Sequence, residues 1–450
     1  MHAKFVRIAA RAVGVGAVVT LSLAGLQSAA LAGPVAVNVP CSTAALAADI
    51  TAAVSGETLS LTSTCTYTLT AHLPVISVDL AIHGNGSTAQ TGATIARSTA
   101  EGTAAFSLLT VTDGADVLIS HVNFTNGDSA GTECAPPPIY DSGLGGAIFA
   151  ADGTLTVDGG TFTGNYAYNG GAIFSADDAT VDDAVFTGNS AESGGAIASG
   201  TYEYGCVVTG RSAQAAAFVN KDDGSLMDVV GSTFTGNSAG DAGGAILVEN
   251  PMTVTGDTFT GNHAEYGGGM YVDDGSPAVT GSTFTSNYAY EDGGAIYDND
   301  YLTVTGGFFT DNYAEGNYGG GIYNDDYLTV NRAAFAGNDA IEYGGGIYSD
   351  DDLTVSGGSF TGDGSKYGGG IYNDGSATVT GAGFRQNDAY EGGGMYNDDE
   401  MSVSHGQILL NAATDDGGGI YNNHEDFTLS TSVVQGNTPN NCVDVTGCIG

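Results

Sequence analysis

F-T-D-N-Y-A-E-G-N-Y-G-G-G-I-Y-N-D-D-Y-L-T-V-N-R-A-A, residues 309–334, is one copy of a unit that recurs along most of the chain. The unit holds two motifs, Phe-x-x-Asn and Gly-Gly-Ala/Gly-Ile/Met, which alternate with a period of 24 to 26 residues from Phe234 onward. The first motif begins at Phe162, Phe186, Phe234, Phe259, Phe284, Phe309, Phe335 and Phe384. The second begins at Gly145, Gly170, Gly194, Gly243, Gly267, Gly293, Gly319, Gly344, Gly368, Gly392 and Gly417. A fixed period of this length indicates a stacked repeat architecture.

Each unit carries three short strand signals and no helical periodicity. G-G-x-I-Y and L-T-V are two of them, the third runs through Phe-x-x-Asn, and Asn, Asp and Gly separate them. A leucine-rich horseshoe needs an L-x-x-L-x-L pattern, and a propeller needs four strands in about 40 residues. The sequence therefore predicts an all-β fold, a right-handed parallel β-helix of about 14 coils.

Stacked coils bring the same position of every unit into one ladder. Coils lie about 4.8 Å apart, so we expect Ile and Val to fill the core and Phe to stack on Phe. The Asn of Phe-x-x-Asn is predicted to bend into a turn and hydrogen-bond to the backbone of the next coil. The Gly pair is predicted to form a tight corner where a Cβ atom would clash. One degenerate copy begins at Phe360 and ends in Asp363 instead of Asn.

The first 32 residues have the pattern of a secretory signal peptide. Basic Lys4, Arg7 and Arg11 precede a largely apolar run, residues 12–26, and A-L-A at residues 30–32 supplies a cleavage signal. The apolar run is shorter than the ~20 residues that span a bilayer. We therefore predict a secreted protein, extracellular or at the cell surface, with no membrane insertion after cleavage.

The remaining chain is predicted to be one solenoid with closed ends. Residues 33–75 form an N-terminal cap, with a short helix over Thr43–Val54 and Ser42 or Thr43 as its N-cap. Residues 76–440 form the β-helix, and residues 441–450 form a C-terminal tail. Two insertions near residues 127–143 and 199–227 interrupt the repeat and are expected to be loops on one face.

Six cysteines in an exported chain indicate disulfide bonds. Pairing them in sequence order gives Cys41–Cys65 in the cap, Cys134–Cys206 between the two insertions, and Cys442–Cys448 in the tail. Six cysteines allow 15 connectivities, and free buried thiols are the alternative.

The charge is strongly one-sided. The formal net charge is −42, and after removal of residues 1–32 only six basic residues oppose 51 acidic ones. Such a surface repels phosphate backbones and anionic lipids. Nucleic-acid and membrane-surface binding are therefore not expected, whereas an extracellular carbohydrate or protein surface is a suitable partner.

The alternation of G-G-A-I with F-x-x-N resembles the repeat of chlamydial-type polymorphic outer membrane proteins. The resemblance covers residues 145–437. It implies a surface β-helix with a role in adhesion. It does not imply a ligand.

A catalytic function is the alternative hypothesis, because many β-helices are polysaccharide lyases or glycoside hydrolases. A lyase needs a basic residue beside carboxylates, and Arg211 or Lys221 near the second insertion could supply it. Gly-His-Gly and Arg-x-Lys segments are absent, and Ser404-His405-Gly406 is the nearest match. The carboxylate pairs recur in every coil, whereas a catalytic pair occurs once. We therefore favour a non-catalytic binding protein and predict no catalytic residues.

Acidic residues follow each G-G-x-I-Y segment. Hard oxygen ligands in clusters suit Ca²⁺, so one hypothesis is a row of weak calcium sites along one edge. The predicted ligands are Asp298, Asp300, Asp325, Asp326, Asp350, Asp351, Asp374, Asp398 and Asp399. The alternative is a solvated acidic edge that keeps the protein soluble. No other cofactor is expected.

A row of tyrosines lies beside the acidic residues. Strand alternation places the Ile of G-G-x-I-Y inward and the Tyr outward. The row comprises Tyr271, Tyr297, Tyr323, Tyr348, Tyr372, Tyr396 and Tyr421. An exposed aromatic row could bind carbohydrate or protein. The favoured interpretation is that the tyrosines stack and stabilise the sheet.

Overall fold

The computed structural model describes residues 36–88, 91–130, 143–200, 225–424 and 426–448. Within these residues, one short helix accompanies a large number of short strands, and all pairings between the strands named below are parallel. Each coil passes in turn through sheet A, sheet B, a short sheet D and sheet C. The predicted parallel β-helix is therefore confirmed, with about 15 turns.

Sheet A contains the L-T-V strands and has 15 members. Its inward Leu and Val side chains are buried, and the residues between them face outward. Its strands are Ala36–Val39, Glu57–Leu61, Leu80–His83, Val117–Ser120, Leu155–Asp158, Ala179–Asp182, Met227–Val230, Met252–Thr255, Ala278–Thr280, Tyr301–Thr305, Tyr327–Asn331, Asp352–Ser356, Ser376–Thr380, Glu400–Ser404 and Phe427–Ser430.

Sheet B contains the Phe of Phe-x-x-Asn and has 14 strands. They are Thr66–Leu69, Thr94–Arg97, Asn123–Thr125, Thr161–Thr163, Val185–Thr187, Thr233–Thr235, Thr258–Thr260, Thr283–Thr285, Phe308–Thr310, Ala334–Ala336, Ser359–Thr361, Gly383–Arg385, Gln407–Leu409 and Val433–Gln435.

Sheet C contains the strands that follow the Gly pair and has 13 members. They are Leu109–Val111, Ile148–Ala150, Ile173–Ser175, Ile197–Ser199, Ile246–Val248, Met270–Val272, Ile296–Asp298, Ile322–Asn324, Ile347–Ser349, Ile371–Asn373, Met395–Asn397, Ile420–Asn422 and Cys442–Val443.

Sheet D follows the Asn of the Phe motif and is discontinuous. Six strands form one part: Ser190–Ser193, Ser238–Ala242, His263–Ala264, Tyr288–Ala289, Tyr313–Ala314 and Asp339–Ala340. Two more, Asp388–Glu391 and Ala412–Asp416, form a separate pair.

A column of phenylalanines runs through the core, as predicted. Successive rings in sheet B stack in nearly parallel planes, with centroids 4.5 to 5.1 Å apart, and each ring is fully buried. The column comprises Phe124, Phe162, Phe186, Phe234, Phe259, Phe284, Phe309, Phe335, Phe360 and Phe384. Each stacked pair contributes about 1 kcal/mol beyond its area burial.

The Gly pair forms the predicted corner. Gly293 adopts φ +70°, a left-handed conformation that favours glycine. A Cβ atom on Gly294 would lie 2.2 Å from the carbonyl oxygen of Gly320 in the next coil. Larger residues are excluded because this contact recurs from coil to coil.

The Asn of the Phe motif forms a buried ladder. Asn262 shows the pattern: its Oδ1 accepts from the Asn237 N–H at 2.9 Å, and its Nδ2 donates to Asn287 Oδ1 at 3.0 Å and to the Phe234 carbonyl at 3.1 Å. Hydrogen bonds between coils are therefore present, but the backbone partners of the Asn262 side chain lie in the preceding coil, and its contact with the next coil joins side chain to side chain.

The two ends of the solenoid contain the helix and the two terminal disulfides that the sequence suggested. The helix spans Thr43–Ala52, and the Ser42 side chain caps it by accepting from the Ala45 N–H. The disulfides Cys41–Cys65 and Cys442–Cys448 are present. Sheet A already begins at Ala36–Val39, so the solenoid extends into the segment that the sequence assigned to the cap. The predicted signal peptide, Cys134, Cys206 and most of both insertions lie outside the described residues.

Candidate functional site

The predicted tyrosine row lies on the outer side of sheet C. Neighbouring rings stack with centroids 4.4 to 5.5 Å apart along the whole row, from Tyr271 to Tyr421. Register pairing places each tyrosine directly on the next one. The structure therefore bears out the stacking between coils that the sequence favoured.

A second row of tyrosines covers the first. Its members immediately precede the Gly pair and pack edge-on or tilted against the inner rings, for example Tyr343 on Tyr372 at 4.7 Å. The second row comprises Tyr266, Tyr318, Tyr343 and Tyr367. As a result, Tyr348, Tyr372 and Tyr396 are only 5 to 8 % exposed. The expectation of a fully exposed aromatic face is wrong for these three residues. The repeated Tyr-Gly-Gly sequence was the signal that could have revealed the second tyrosine row over the first.

The acidic edge and the inner tyrosines are hydrogen-bonded to each other. The Tyr323 hydroxyl donates to Asp325 at 3.3 Å, Tyr348 to Asp350 at 3.1 Å, and Tyr372 to Asp398 at 3.2 Å. Burial, together with the neighbouring carboxylates, raises the pKa of Tyr348 well above its ordinary value. The hydroxyls therefore stay protonated and act as donors that partly satisfy the acidic edge.

Asp298 does not belong to the acidic edge. It is fully buried and points into the solenoid, in register with Asn324 of the next coil. Neither carboxylate oxygen makes a well-formed hydrogen bond within the described residues. Burial raises its pKa well above the usual range, although the nearby Asp300 backbone N–H opposes part of the rise. Its assignment as a surface calcium ligand is therefore wrong.

The other predicted calcium ligands follow the strands of sheet C and are exposed or half-buried. They are Asp300, Asp325, Asp326, Asp350, Asp351, Asp374, Asp398 and Asp399. In the part of the chain that the structure describes, no group of three or more His, Cys, Asp or Glu side chains is placed to hold a metal ion. The row of calcium sites stays a prediction. Arg211 and Lys221, the basic residues considered for catalysis, lie outside the described residues.

Two further carboxyl groups are buried in interior ladders that the sequence did not single out as sites. Asp363 takes an Asn position in the Asn ladder, and burial raises its pKa to about 7. Asp257 lies between Ser232 and Ser282 in another ladder, and burial raises its pKa to about 7. One oxygen of each carboxyl group has no hydrogen-bond partner among the described residues. The sequence signal was available for Asp363, where the motif loses its Asn.

The outer face of sheet A differs from the acidic edge. Two of its outward rows are uncharged, and one of these runs Thr253, Ala278, Thr303, Thr329, Thr354, Thr378, Ser402 and Thr428. The adjacent row runs Thr255, Thr280, Thr305, Asn331, Ser356, Thr380, Ser404 and Ser430. Neither row contains a charged residue over these eight described strands. These two uncharged rows, made mostly of hydroxyl side chains, stand out on a chain of net charge −42.

The fold and its ladders define a parallel β-solenoid protein. A family model of the Chlamydia polymorphic membrane protein repeat matches residues 183–200, 231–249 and 281–299. Each matched segment contains one Phe motif and one Gly pair, so the resemblance seen in the sequence is confirmed. Comparisons with curated proteins and with solved structures found no match. The chain is thus a parallel β-helix that carries repeats of the Chlamydia polymorphic membrane protein type.

Among the described residues, no helix combines the length and apolar character needed to cross a membrane.

Proposed function

We propose that the chain is a non-catalytic protein of the cell surface or extracellular space that binds a partner through the long faces of its solenoid. The observation that carries the proposal is the repeat itself, which matches in three coils a family named for polymorphic membrane proteins. The signal peptide predicted for residues 1–32 supports export, and the regular outer faces support contact with an extended partner.

A binding role also agrees with the distribution of the carboxyl groups. The acidic edge repeats similar Tyr–Asp contacts in successive coils, as in Tyr348–Asp350 and Tyr372–Asp398. Two carboxyl groups whose pKa is raised by burial, Asp298 and Asp363, lie in the interior, where a substrate has no access. Their position supports a structural role for these two groups.

Protease accessibility on intact cells tests the location. Cells that produce the full chain are treated with an external protease and probed with an antibody, and the culture medium is probed in parallel. We expect the chain either to be cleaved on intact cells or to be found in the medium, while a cytoplasmic marker stays intact. Protection of the chain until the cells are lysed would contradict the proposal.

A second experiment separates binding from catalysis. Beads coated with the purified full chain are scored for adherence to cells and extracellular matrices, with albumin-coated beads as the control. In parallel, soluble polysaccharides are incubated with the chain, and new reducing ends and unsaturated products are measured. Adherence without product release is the expected result, and product release would favour a lyase or hydrolase.

A further inference from the structure

A step in the outer face of sheet A forms a shallow groove. The first position of five successive strands holds Tyr301, Tyr327, Asp352, Ser376 and Glu400 in register. Side-chain size falls sharply from Tyr327 to Asp352 and Ser376, so the surface drops behind the tyrosine. The groove has a volume of about 240 Å³, and Tyr327, Asp352, Thr354, Ser376 and Thr378 contribute to its lining.

Tyr327 provides an aromatic platform at one end of this groove. Its ring stacks on Tyr301 with centroids 4.5 Å apart and an interplanar angle of 5°. Tyr301 therefore covers one face of the Tyr327 ring, and the other face is turned toward the Asp352 side of the groove. The two rings are 47 % and 39 % exposed, respectively, unlike the covered tyrosines of sheet C. Stacking restricts the platform before any ligand arrives, which lowers the entropic cost of binding.

The remaining lining supplies hydrogen-bonding groups. Thr354, Ser376 and Thr378 are exposed and offer hydroxyl groups that donate and accept. The Asp352 carboxylate is half-buried and accepts only. An aromatic face beside acceptors and hydroxyls suits a ring that has one apolar face and several hydroxyl groups, which is the chemistry of a sugar.

The charge of the groove and of the whole protein indicates which kind of sugar polymer could bind. None of the residues that line the groove is basic, and Asp352 adds a negative charge, so the lining offers no cation to pair with an anionic sugar. The protein as a whole carries net charge −42, which repels anionic polymers. The partner that fits is therefore uncharged.

We propose that this groove on sheet A binds an uncharged polysaccharide, with one sugar ring against Tyr327 and neighbouring units along the Thr and Ser rows. The proposal rests on the proposed surface-binding function and gives it a ligand class and a site. The site differs from the inner tyrosine row, in which Tyr348, Tyr372 and Tyr396 are buried, because Tyr301 and Tyr327 are exposed.

Pull-down on insoluble polysaccharides tests the site. The full chain is mixed with microcrystalline cellulose and chitin, and its mobility is measured in gels containing uncharged β-glucan or mannan, with polygalacturonate as the anionic comparison. We expect binding to at least one uncharged polymer and none to polygalacturonate. Tyr327→Ala is expected to weaken binding at least tenfold, whereas Tyr327→Trp, which keeps a platform, retains it.

Tyr390→Ala is the matched control, because Tyr390 is also 44 % exposed but lies in sheet D. It should bind like the parent chain, and circular dichroism melts should show all variants folded. Equal binding by Tyr327→Ala and the parent chain would refute the groove as the binding site, but it would not contradict the proposed surface-binding function. Failure to bind any uncharged polymer, or binding only to a protein partner, would refute the proposal that the ligand is an uncharged polysaccharide. The bead-adherence experiment would then test the surface-binding function by itself.

Discussion

Two buried polar ladders line the interior of the solenoid, one after sheet B and one at the end of sheet C from Asp298 to Asn422, and they differ in completeness. In the first, amide follows amide, and each Nδ2 donates to the next Oδ1, as from Asn262 to Asn287 and from Asn287 to Asn312. In the second, Asp298, Asn324, Ser349 and Asn373 follow one another, and Asp298, Asn324 and Asn373 each hold an oxygen without a partner among the described residues.

The difference shows that a buried ladder needs a donor at every step. An amide is both donor and acceptor, so a column of amides orients head to tail and satisfies itself. Asp298 as a carboxylate can only accept, and Ser349 donates to the Asp351 carbonyl instead of to Asn373. Each interruption leaves an acceptor buried without a hydrogen, which costs about 1–3 kcal/mol.

The largest effect at a single site is expected from Asn287→Asp, which breaks the first ladder within its unbroken run of amides. Asn287 donates to Asn312 and to the Phe259 carbonyl, and the aspartate would put a charge beside both acceptors. We expect a loss of about 4 kcal/mol in local stability at pH 8. Hydrogen exchange of the neighbouring backbone amides measures it, because repeat proteins need not unfold in one step. Asn331→Asp on the outer face is the control and should change little, so similar effects of the two changes would refute the ladder's role.

The next effect is the pH dependence of the parent chain. Burial raises the pKa of Asp257 and of Asp363 to about 7, above the unfolded value near 3.9. Between these pH values the folded state holds more protons, so the free energy of unfolding falls as pH rises. We expect a loss on the order of 5 kcal/mol from pH 5 to pH 8, with the two groups contributing equally, seen as a lower melting temperature.

The triple variant Asp257→Ser, Asp298→Asn, Asp363→Asn isolates the buried groups from the many surface carboxylates. Each change restores the kind of residue that neighbouring coils place in the same ladder. The melting temperature of the variant should depend less on pH than that of the parent chain. Identical pH profiles would assign the whole effect to the surface charge.

A smaller gain is expected from Asp363→Asn alone. Asp363 Oδ1 accepts from Asn338, but its Oδ2 occupies the place where other coils have a donating Nδ2. We expect the amide to complete the first ladder and stabilise the coil by about 2 kcal/mol at pH 8, and by less at pH 5. Asp311→Asn, at an exposed turn, controls for the loss of one negative charge. A gain of the same size in both variants would point to charge alone.

The smallest effect is expected from Ser349→Asn, which would repair the second ladder. The amide could keep the contact with Asn324 and donate to the unpartnered Oδ1 of Asn373. We expect about 1 kcal/mol of stabilisation, measured by hydrogen exchange in sheet C. A destabilised protein would mean that the interior there has no room for the longer side chain.

Much of this architecture could be predicted from the sequence, because a ladder repeats one residue type at one spacing. The Phe column, the Gly corner and the Asn ladder all follow from the period of 24 to 26 residues. The inward position of Asp298 was also available, since strand alternation places it on the same face as Ile296. This inward position was missed because Asp298 was grouped with the other acidic residues that follow each Tyr.

Other features depend on which residues of neighbouring coils meet, and the pattern of one coil does not give that. The cover over Tyr348 comes from Tyr343 of its own coil and from Tyr318 of the preceding coil. The groove beside Tyr327 exists because Asp352 and Ser376 follow it in register, which depends on the lengths of the intervening turns. Such contacts require the three-dimensional register.

The Gly corner and the ladders also govern how such a gene can change in length. Register partners lie 24 to 26 residues apart, and equivalent side chains of adjacent coils meet in each ladder. Loss or duplication of a whole coil would therefore rejoin Phe to Phe, Asn to Asn and Gly to Gly. An insertion of one residue within a strand would reverse its inward and outward faces and displace the ladder there. The molecule can thus lengthen or shorten by one coil at a time while keeping the same cross-section.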